Sequence, residues 1–325
     1  MNKEIRLSDL YRARARLSGH IVRTPLVRST ALSRCCGHEV HLKLDCFQTT
    51  GSFKLRGALN AVLGLDAAVR GRGVIGVSTG NYGRALAYSA QRMGIRAVIC
   101  MSRLVPANKV DSIRALGADV RIIGDSQDEA EEEVVRLVRE ESLVRLPPFD
   151  HPDVIAGQGT CGLEILEDLP EVGTLLVPLS GGGLLAGIAL AAKSANPDIR
   201  VIGVTMENGC AMHASLRAGH PVQVKEVPSL ADSLGGGIGL DNRHTFRMVR
   251  DLVDETILVS EDEIADAIRH AYHEERLVVE GSAAVGIAAL LSRRTACIGS
   301  TVVVVSGQNI DMKAHARIVS SSLVP

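Results

Sequence analysis

Short apolar runs alternate with helix-like segments along most of the chain. The runs 74–78, 97–101 and 119–123 have the length of strands, and polar or glycine-containing segments bound each of them. The segments 84–94 and 107–117 carry apolar residues at helical spacing and end at glycine, which predicts helices. This alternation predicts an α/β fold in which parallel sheets are flanked by helices on both faces.

Charged residues mark two further helix starts. The string Ser126-Gln127-Asp128-Glu129 fits a capping box before a charged helix over 129–141. The string Ser260-Glu261-Asp262-Glu263 begins another helix in the same way. The acidic run 128–133 favours a solvated helix face that complements the helix dipole over a metal site.

One lysine has a setting that suits covalent chemistry. Lys54 lies in the string Gly51-Ser52-Phe53-Lys54-Leu55-Arg56-Gly57-Ala58, at the start of a helix-like apolar run. A lysine amine can form a Schiff base with an aldehyde cofactor, and a position partly out of water favours the neutral, nucleophilic amine. The same pattern also suits a surface lysine whose stem lies along apolar surface. Other segments of the chain are needed to decide between these two interpretations.

A run of glycines further along the chain predicts a phosphate site. The string Ser180-Gly181-Gly182-Gly183-Leu184 follows the apolar run 175–179 and precedes a helix-like segment. Glycines let backbone N–H groups approach an anion, and the helix dipole favours negative charge there. Three consecutive glycines exceed what a tight turn needs. Neither the Rossmann nor the Walker spacing is present.

Two more polar segments follow predicted strands. The string Ser78-Thr79-Gly80-Asn81-Tyr82 lies at a helix start, which suits either a second anion, such as a carboxylate, or an ordinary N-cap. The string Ser306-Gly307-Gln308-Asn309 follows the run 301–305. It places a hydroxyl at the carboxyl end of a strand, where open parallel sheets bind ligands.

Together these four segments resemble the fold-type II family of pyridoxal-phosphate enzymes, in its threonine/serine dehydratase branch. The resemblance extends from Thr24 to Asn309. The string Ser-Phe-Lys-Leu-Arg-Gly-Ala marks the branch, because the cysteine-synthase branch has Lys-Asp-Arg there. The resemblance implies pyridoxal 5'-phosphate as cofactor and a two-domain, tryptophan synthase β-like fold. The large domain is expected over 1–75 and 149–325, and the small domain over 76–148.

The same resemblance implies a role for each segment. It implies that Lys54 forms a Schiff base with the cofactor and that Phe53 lies near the cofactor ring. Asn81 is expected to hydrogen-bond the phenolic oxygen, and Ser306 to face the pyridine nitrogen. The cofactor phosphate is expected on the backbone of Ser180, Gly181, Gly182, Gly183 and Leu184. The substrate carboxylate is expected on Ser78, Thr79, Gly80, Asn81 and Tyr82.

Three positions depart from the family pattern. Tyr82 stands where relatives usually have His, and Arg84 stands where they have Gln. Thr205 stands where several relatives carry a Glu that belongs to a divalent-cation site. We therefore expect no metal site, and we do not assign that role to Glu207 or Asp232. Arg84 is expected to point away along its helix.

The Tyr82 variant, together with the glycine run in 234–240, resembles the hydroxyectoine-utilization dehydratases. This likeness implies β-elimination of a β-hydroxy amino acid, derived from that osmolyte, to an oxo acid and ammonia. The glycines at 235–237 either leave room for a longer substrate beside the cofactor or form a flexible surface loop, and both interpretations remain open.

Four alternative functions share parts of this pattern. The nearest is a general threonine/serine dehydratase. A serine or amino-acid racemase needs a second base, and Thr79 stands where racemases carry a serine. A β-replacement synthase is disfavoured because Lys-Asp-Arg is absent. A non-enzymatic amino-acid sensor would have no reason to combine Lys54, the glycine run and Ser306.

Composition excludes several other classes of protein. The formal net charge of −1 and the absence of Trp argue against a nucleic-acid or anionic-membrane surface. The 7 Cys form no C-x-x-C pattern, which predicts reduced thiols in a cytoplasmic protein. Neither an apolar leader segment nor an 18-residue apolar run is visible, so we expect no membrane span. We expect a homo-oligomer, a dimer or a tetramer, that acts on a small molecule.

Overall fold

A computed structural model describes residues 4–78, 80–103, 105, 107–125 and 127–321. The strands are β1 (Leu26–Arg28), β2 (Val40–Lys43), β3 (Val74–Val77), β4 (Ala97–Met101), β5 (Asp119–Ile122), β6 (Val144–Arg145), β7 (Val172–Pro178), β8 (Arg200–Met206), β9 (Glu255–Val259) and β10 (Ser300–Val304). The helices are α1 (Leu7–Leu17), α2 (Thr30–Cys36), α3 (Lys54–Leu63), α4 (Ala67–Arg70), α5 (Asn81–Met93), α6 (Ala107–Arg114), α7 (Gln127–Glu141), α8 (Pro152–Asp168), α9 (Gly183–Ala195), α10 (Ala211–Ala218), α11 (Thr245–Leu252), α12 (Glu261–His273), α13 (Gly281–Leu291) and α14 (Met312–Ser320). Short 3-10 helices span Asp45–Phe47 and Asp232–Leu234.

The strands form two sheets. The six-stranded sheet has the order β1-β2-β10-β7-β8-β9, and the four-stranded sheet has the order β5-β4-β3-β6. All pairings are parallel except that of β1 with β2. The predicted α/β class is confirmed, since helices pack against sheets along the whole chain. The three strands expected from the apolar runs are β3, β4 and β5.

The predicted helices occur with small changes at their ends. The expected segments 84–94, 107–117 and 129–141 correspond to α5, α6 and α7. Ser260 and Glu263 form the predicted capping box, because the Ser260 hydroxyl accepts from the Glu263 N–H at 3.2 Å and the Glu263 carboxylate accepts from the Ser260 N–H at 2.7 Å. The capping box expected at Ser126 lies outside the described residues.

The two sheets separate along the chain. Strands between Val74 and Arg145 form the four-stranded sheet, and strands from the flanking segments form the six-stranded sheet. This separation supports our proposal of a small domain over 76–148 and a large domain over 1–75 and 149–325. Within the described residues, no helix has the length and apolar character that crossing a bilayer requires.

Neighbouring parallel strands bring distant loops to one edge of the large sheet. β7 and β10 are paired in parallel, so the loops that follow them meet at their carboxyl ends. The segment before α3 joins the same edge through backbone hydrogen bonds. The Phe53 N–H donates to Ser306 O at 2.9 Å, and the Gln308 N–H donates to Gly51 O at 2.9 Å. The fold therefore fixes the start of α3 beside the ends of β7 and β10.

Helix α8 packs between α3 and α9 at unusually close range. A Cβ built at Gly157 would lie 2.5 Å from the backbone oxygen of Arg56 in α3. A Cβ built at Gly187 in α9 would lie 2.6 Å from the backbone nitrogen of Gly159 in α8. Only glycine allows both approaches, because Cβ contacts this short do not occur in packed proteins. The glycines of α8 and α9 therefore set the spacing between the helix that carries Lys54 and the helix that follows the glycine loop.

Four charged side chains form a buried ion cluster beneath α3, consisting of Lys43, Asp45, Arg56 and Glu164. Arg56 donates to Asp45 from Nε at 2.8 Å and from Nη2 at 2.7 Å, and from Nη1 to Glu164 at 2.6 Å. Lys43 Nζ donates to Glu164 at 2.6 Å. Burial alone would raise the pKa of Asp45, but Arg56 more than offsets this and holds that pKa below its usual range. The two positive and two negative charges therefore balance.

Removal of Glu164 should destabilise the protein strongly. In Glu164→Ala, Lys43 and Arg56 lose carboxylate partners while they remain out of water, which should lower the free energy of unfolding by about 3–5 kcal/mol. Urea denaturation followed by circular dichroism measures the change. Glu167→Ala is the matched control, because Glu167 pairs with Arg14 and Arg23 at the surface. The control should cost about 1 kcal/mol or less. Equal losses in the two variants would contradict a structural role for the cluster.

Candidate active site

Lys54 is the first residue of α3, and its amine opens into a cavity. Nζ lies 3.2 Å from Pro148 O, 5.2 Å from the ring centroid of Phe53 and 5.9 Å from that of Tyr82. Burial lowers the pKa of the Lys54 amine to about 8, and the charge of Glu280 opposes this shift. An appreciable fraction of the amine is therefore neutral near pH 8 and able to act as a nucleophile or a base.

The glycine loop lies between β7 and α9. Gly182 has φ +86°, in the left-handed region that favours glycine, and is the N-cap of α9. A Cβ at Gly181 would lie 2.4 Å from the ring of Phe149. The first N–H groups of a helix have no acceptor within it. This loop is therefore a backbone cradle at a helix N-terminus, which suits a phosphate group.

Residues from all four predicted segments line one cavity. Ser306 lies at the carboxyl end of β10 and is buried. Asn81 is the first residue of α5 and is also buried. The expected cofactor-binding residues that line this cavity are Phe53, Lys54, Asn81, Ser180, Gly181, Gly182, Gly183, Leu184 and Ser306. The structure thus brings together all the residues predicted for the cofactor.

The predicted carboxylate segment begins directly after β3. The Ser78 hydroxyl accepts from the N–H groups of Gly80 and Gly83 at 2.9 and 2.6 Å, which fixes the turn into α5. Gly80 lies against the stem of Lys109, where a Cβ would be 2.6 Å from Cδ. Tyr82 donates its hydroxyl to Leu146 O at 2.8 Å, and burial raises the pKa of the phenol. Thr79 lies outside the described residues.

A larger cavity of about 540 Å³ adjoins the first. Ser78, Tyr82 and the glycines at 235–237 line it, and Lys54 and Asn81 line both cavities. The glycine run therefore lies beside the candidate site. This position is the one required if the glycines leave room for a longer substrate. His151 and His244 also line the larger cavity.

Sequence reasoning missed two functional contacts. Arg84 does not point away along its helix, because its Nη1 lies 2.7 Å from Oδ1 of Asn309, which in turn contacts Asn81. Glu280 is buried in the Lys54 cavity and accepts from Asn81 at 2.7 Å. A carboxylate directly before the largely apolar helix α13 is the signal in the sequence that could have indicated it.

The carboxylates considered for a metal site have other partners. Glu207 lies 3.6 Å from Arg294, and Asp232 pairs with Lys109. In the part of the chain that the structure describes, no group of three or more His, Cys, Asp or Glu side chains is arranged to hold a metal ion. All seven cysteines are free thiols.

A family model described as "Pyridoxal-phosphate dependent enzyme" matches residues 17–307. The chain belongs to this family. It is 59% identical over 315 residues to a Sinorhizobium fredii protein with the provisional name threonine dehydratase, covering 97% of this chain and 95% of that one. It is 43% identical to an L-threonine ammonia-lyase of Thermotoga maritima, covering 98% of this chain and 79% of the other. The solved structure of maize serine racemase superimposes with a TM-score of 0.91 at 34% identity, covering 97% of each chain.

These likenesses confirm the predicted family, the fold-type II architecture and the cofactor, pyridoxal 5'-phosphate. The enzyme is a pyridoxal-phosphate-dependent ammonia-lyase of the threonine/serine dehydratase type. The residues present fit this cofactor. The glycine cradle lies at the N-terminus of α9, where backbone N–H groups suit a phosphate, and the same cavity holds an amine of lowered pKa, Lys54.

A negative charge in the glycine cradle should weaken cofactor binding. Gly182→Asp adds bulk next to Met212 and puts a like charge beside a phosphate dianion, so the Kd for pyridoxal phosphate should rise at least about tenfold. Equilibrium dialysis with the cofactor-free enzyme measures this. Gly182→Asn adds similar bulk without the charge and should bind pyridoxal phosphate more tightly than Gly182→Asp does. Ser180→Ala should change this Kd by less than about threefold. An unchanged affinity in Gly182→Asp would place the cradle elsewhere.

Proposed function

We propose that this enzyme eliminates the β-hydroxyl of a β-hydroxy amino acid and releases an oxo acid and ammonia, with no net change in water. The observation that carries the proposal is the position of the Lys54 amine, which opens into one cavity with the glycine cradle and adjoins a second cavity large enough for a substrate. The enzyme's relatives named for threonine dehydration and ammonia release support the same reaction type.

The site residues divide into those that hold the cofactor and those that hold the substrate. We assign Lys54 as the covalent attachment point, with Phe53 beside the cofactor ring. The backbone of the cradle, Ser180 to Leu184, holds the phosphate. Asn81 would hydrogen-bond the phenolic oxygen of the cofactor, and Ser306 would lie at its pyridine nitrogen. The substrate carboxylate is held by the polar groups of the 78–82 segment, where the first N–H groups of α5 favour an anion.

Pyridoxal phosphate, when bound, supplies an electron-withdrawing ring that makes the Cα–H bond of a bound amino acid acidic. Lys54, once its amine is free, would remove the Cα proton, for which its pKa of about 8 suits it near pH 8. The Cβ–O bond would then break, and the hydroxyl would leave as water with one proton, which balances the proton that Lys54 has taken up. Later cleavage of the C–N bond consumes one water, so the net products are the oxo acid and ammonia.

Ser306 favours elimination over competing reactions. A carboxylate at this position would hold a proton on the pyridine nitrogen and stabilise a long-lived carbanion. The neutral Ser306 hydroxyl, buried at the end of β10, makes the ring a weaker electron sink. Prompt loss of the β-hydroxyl is then favoured over transamination.

The size and lining of the larger cavity favour a substrate longer than serine. The cavity measures about 540 Å³, and the glycines at 235–237 line it without side chains. Burial lowers the pKa of His151 and of His244, so both imidazoles are neutral near pH 7 and can hydrogen-bond a polar group of the substrate. We propose a β-hydroxy amino acid from hydroxyectoine breakdown, such as 3-hydroxy-2,4-diaminobutyrate, with threonine and serine as weaker substrates.

A racemase is the second candidate function. The likeness to maize serine racemase favours it, since 34% identity accompanies a TM-score of 0.91. It requires a second base on the opposite face of the cofactor, and we rank it as a side activity. Chiral chromatography of serine incubated with the enzyme tests it directly.

The setting of the enzyme follows from its composition. We propose that it acts in the cytoplasm as a homo-oligomer, a dimer or a tetramer, without binding nucleic acid or a membrane. The net charge of −1, the absence of Trp and the free thiols support this proposal.

Lys54 should carry the cofactor. Borohydride reduction of the holoenzyme followed by peptide mapping should place the label on Lys54, because its amine has a lowered pKa and lines both cavities. Lys54→Ala should abolish turnover and retain some cofactor through the phosphate cradle. A label on Lys43 or Lys109 would show that the assignment is wrong.

Substrate preference should separate the specialised enzyme from a general dehydratase. The kcat/KM for 3-hydroxy-2,4-diaminobutyrate should exceed that for threonine by at least about tenfold, because a cavity that hydrogen-bonds an extra polar group discriminates strongly against substrates that lack it. Oxo-acid release measures both rates. The preference should shrink in His244→Ala, which removes a hydrogen-bonding group of the cavity. If threonine reacts as well or better, a general threonine/serine dehydratase remains.

A further inference from the structure

Arg84 makes a hydrogen bond that fixes the orientation of a neighbouring amide. Its Nη1 lies 2.7 Å from Oδ1 of Asn309, although the two residues are 225 positions apart in sequence. A guanidinium group has several N–H donors, no acceptor and a charge that it keeps at every accessible pH. The Asn309 amide must therefore present its oxygen to Arg84. A glutamine in place of Arg84 could donate or accept and would not impose this orientation.

The orientation of the Asn309 amide sets that of Asn81, which lines the active-site cavity. Asn309 Nδ2 donates to Asn81 Oδ1 at 2.7 Å and to Thr50 O at 3.0 Å. Asn81 therefore turns its nitrogen to the other side, where Nδ2 donates to Glu280 Oε1 at 2.7 Å. All the donors point the same way, from Arg84 through Asn309 and Asn81 to Glu280. We call this series the Arg84 chain.

Glu280 is the last member of the Arg84 chain, and one of its two carboxylate oxygens accepts no hydrogen bond from the described residues. The residue is 3% exposed and lines the Lys54 cavity, and its Oε2 has no hydrogen-bond partner among the described residues. Burial, with help from Asp232, raises the pKa of Glu280 to about 7, while Lys109, the hydrogen bond from the Asn81 side chain and the backbone N–H of Asn309 oppose the rise. The ionisable groups that face it from neighbouring elements are Lys54, Lys109, Asp232 and Cys46.

We propose that Arg84 is a positioning residue for proton exchange at Glu280. Its fixed donor direction keeps a hydrogen bond on Oε1 and leaves Oε2 free to take a proton from the incoming substrate ammonium. One N–H bond breaks and one O–H bond forms, which leaves a neutral substrate amine and a carboxylic acid. The proton returns to the ammonia product, which departs as ammonium. The catalytic part of this inference rests on the proposed function.

The protonation of Glu280 can be measured without substrate or cofactor. Infrared difference titration of the cofactor-free enzyme follows the carboxylic-acid band of Glu280, which Glu280→Gln removes and so identifies. In Arg84→Met the Asn309 amide is oriented by the Thr50 carbonyl alone, so the side-chain donor from Asn81 to the carboxylate is held less firmly. The titration midpoint should then rise by about one pH unit. Arg92→Met, at an exposed position of the same helix, should leave the midpoint unchanged.

Three more variants separate the effect of the hydrogen-bond direction from other effects of the Arg84 substitution. Arg84→Lys retains a charged donor and should restore the midpoint to within about 0.3 pH units of the original. Asn309→Ala interrupts the Arg84 chain at its second member and should raise the midpoint as Arg84→Met does, which covers a failure of Arg84→Met to fold. The double variant Arg84→Met/Asn309→Ala should have the same titration midpoint as either single variant. An unchanged midpoint in Arg84→Met or, if that variant does not fold, in Asn309→Ala would overturn the proposal.

The holoenzyme supplies the catalytic readout. The acidic limb of the kcat/KM profile should move to higher pH by the same amount in Arg84→Met and Asn309→Ala, since it reports groups of the free enzyme. A shifted infrared midpoint with an unmoved acidic limb would overturn the role of Glu280 in proton exchange. The infrared result does not depend on which substrate is turned over, so failure of the proposed function and failure of this inference are distinguishable.

Discussion

The buried ion cluster is the constraint on which the position of Lys54 depends. Arg56 follows Lys54 by two residues in α3 and cannot move without losing its hydrogen bonds to Asp45 and Glu164. Desolvation makes such a group of charges costly, and only full pairing offsets that cost. The paired cluster therefore holds α3 in one place relative to β2 and α8, and the Lys54 amine with it.

The same helix α8 connects the lysine to the phosphate cradle. It packs against α3 through Gly157 and against α9 through Gly159 and Gly187, and α9 begins at the cradle. Backbone bonds from Phe53 to the end of β10 add Ser306 to the same edge of the sheet. The candidate cofactor site is thus assembled by packing between elements far apart in sequence, each held by contacts within the protein. Preorganisation of this kind lowers the cost of binding and of proton transfer.

Local patterns in the sequence predicted the parts of the site that are themselves local. Apolar runs followed by glycine or hydroxyl residues gave the strands β3, β7 and β10 and the loops after them, because a strand end and a helix start have short-range signatures. The Arg84 chain could not be predicted in this way, since Asn81 and Glu280 are 199 residues apart. The buried ion cluster has the same character, since Arg56 and Glu164 are 108 residues apart. For the glycines at 235–237, the sequence allowed two interpretations, and only the tertiary structure places them beside the cavity.

A crystal structure of the enzyme with and without pyridoxal phosphate tests the central claim most directly, namely that the fold assembles the cofactor site in advance. We expect continuous density between Lys54 Nζ and the cofactor, with phosphate oxygens within hydrogen-bonding distance of the backbone N–H groups of the 180–184 cradle. The backbone around both should be the same in the two forms. A phosphate bound instead at the 78–82 segment, or a cradle that takes shape only when the cofactor is present, would contradict the account.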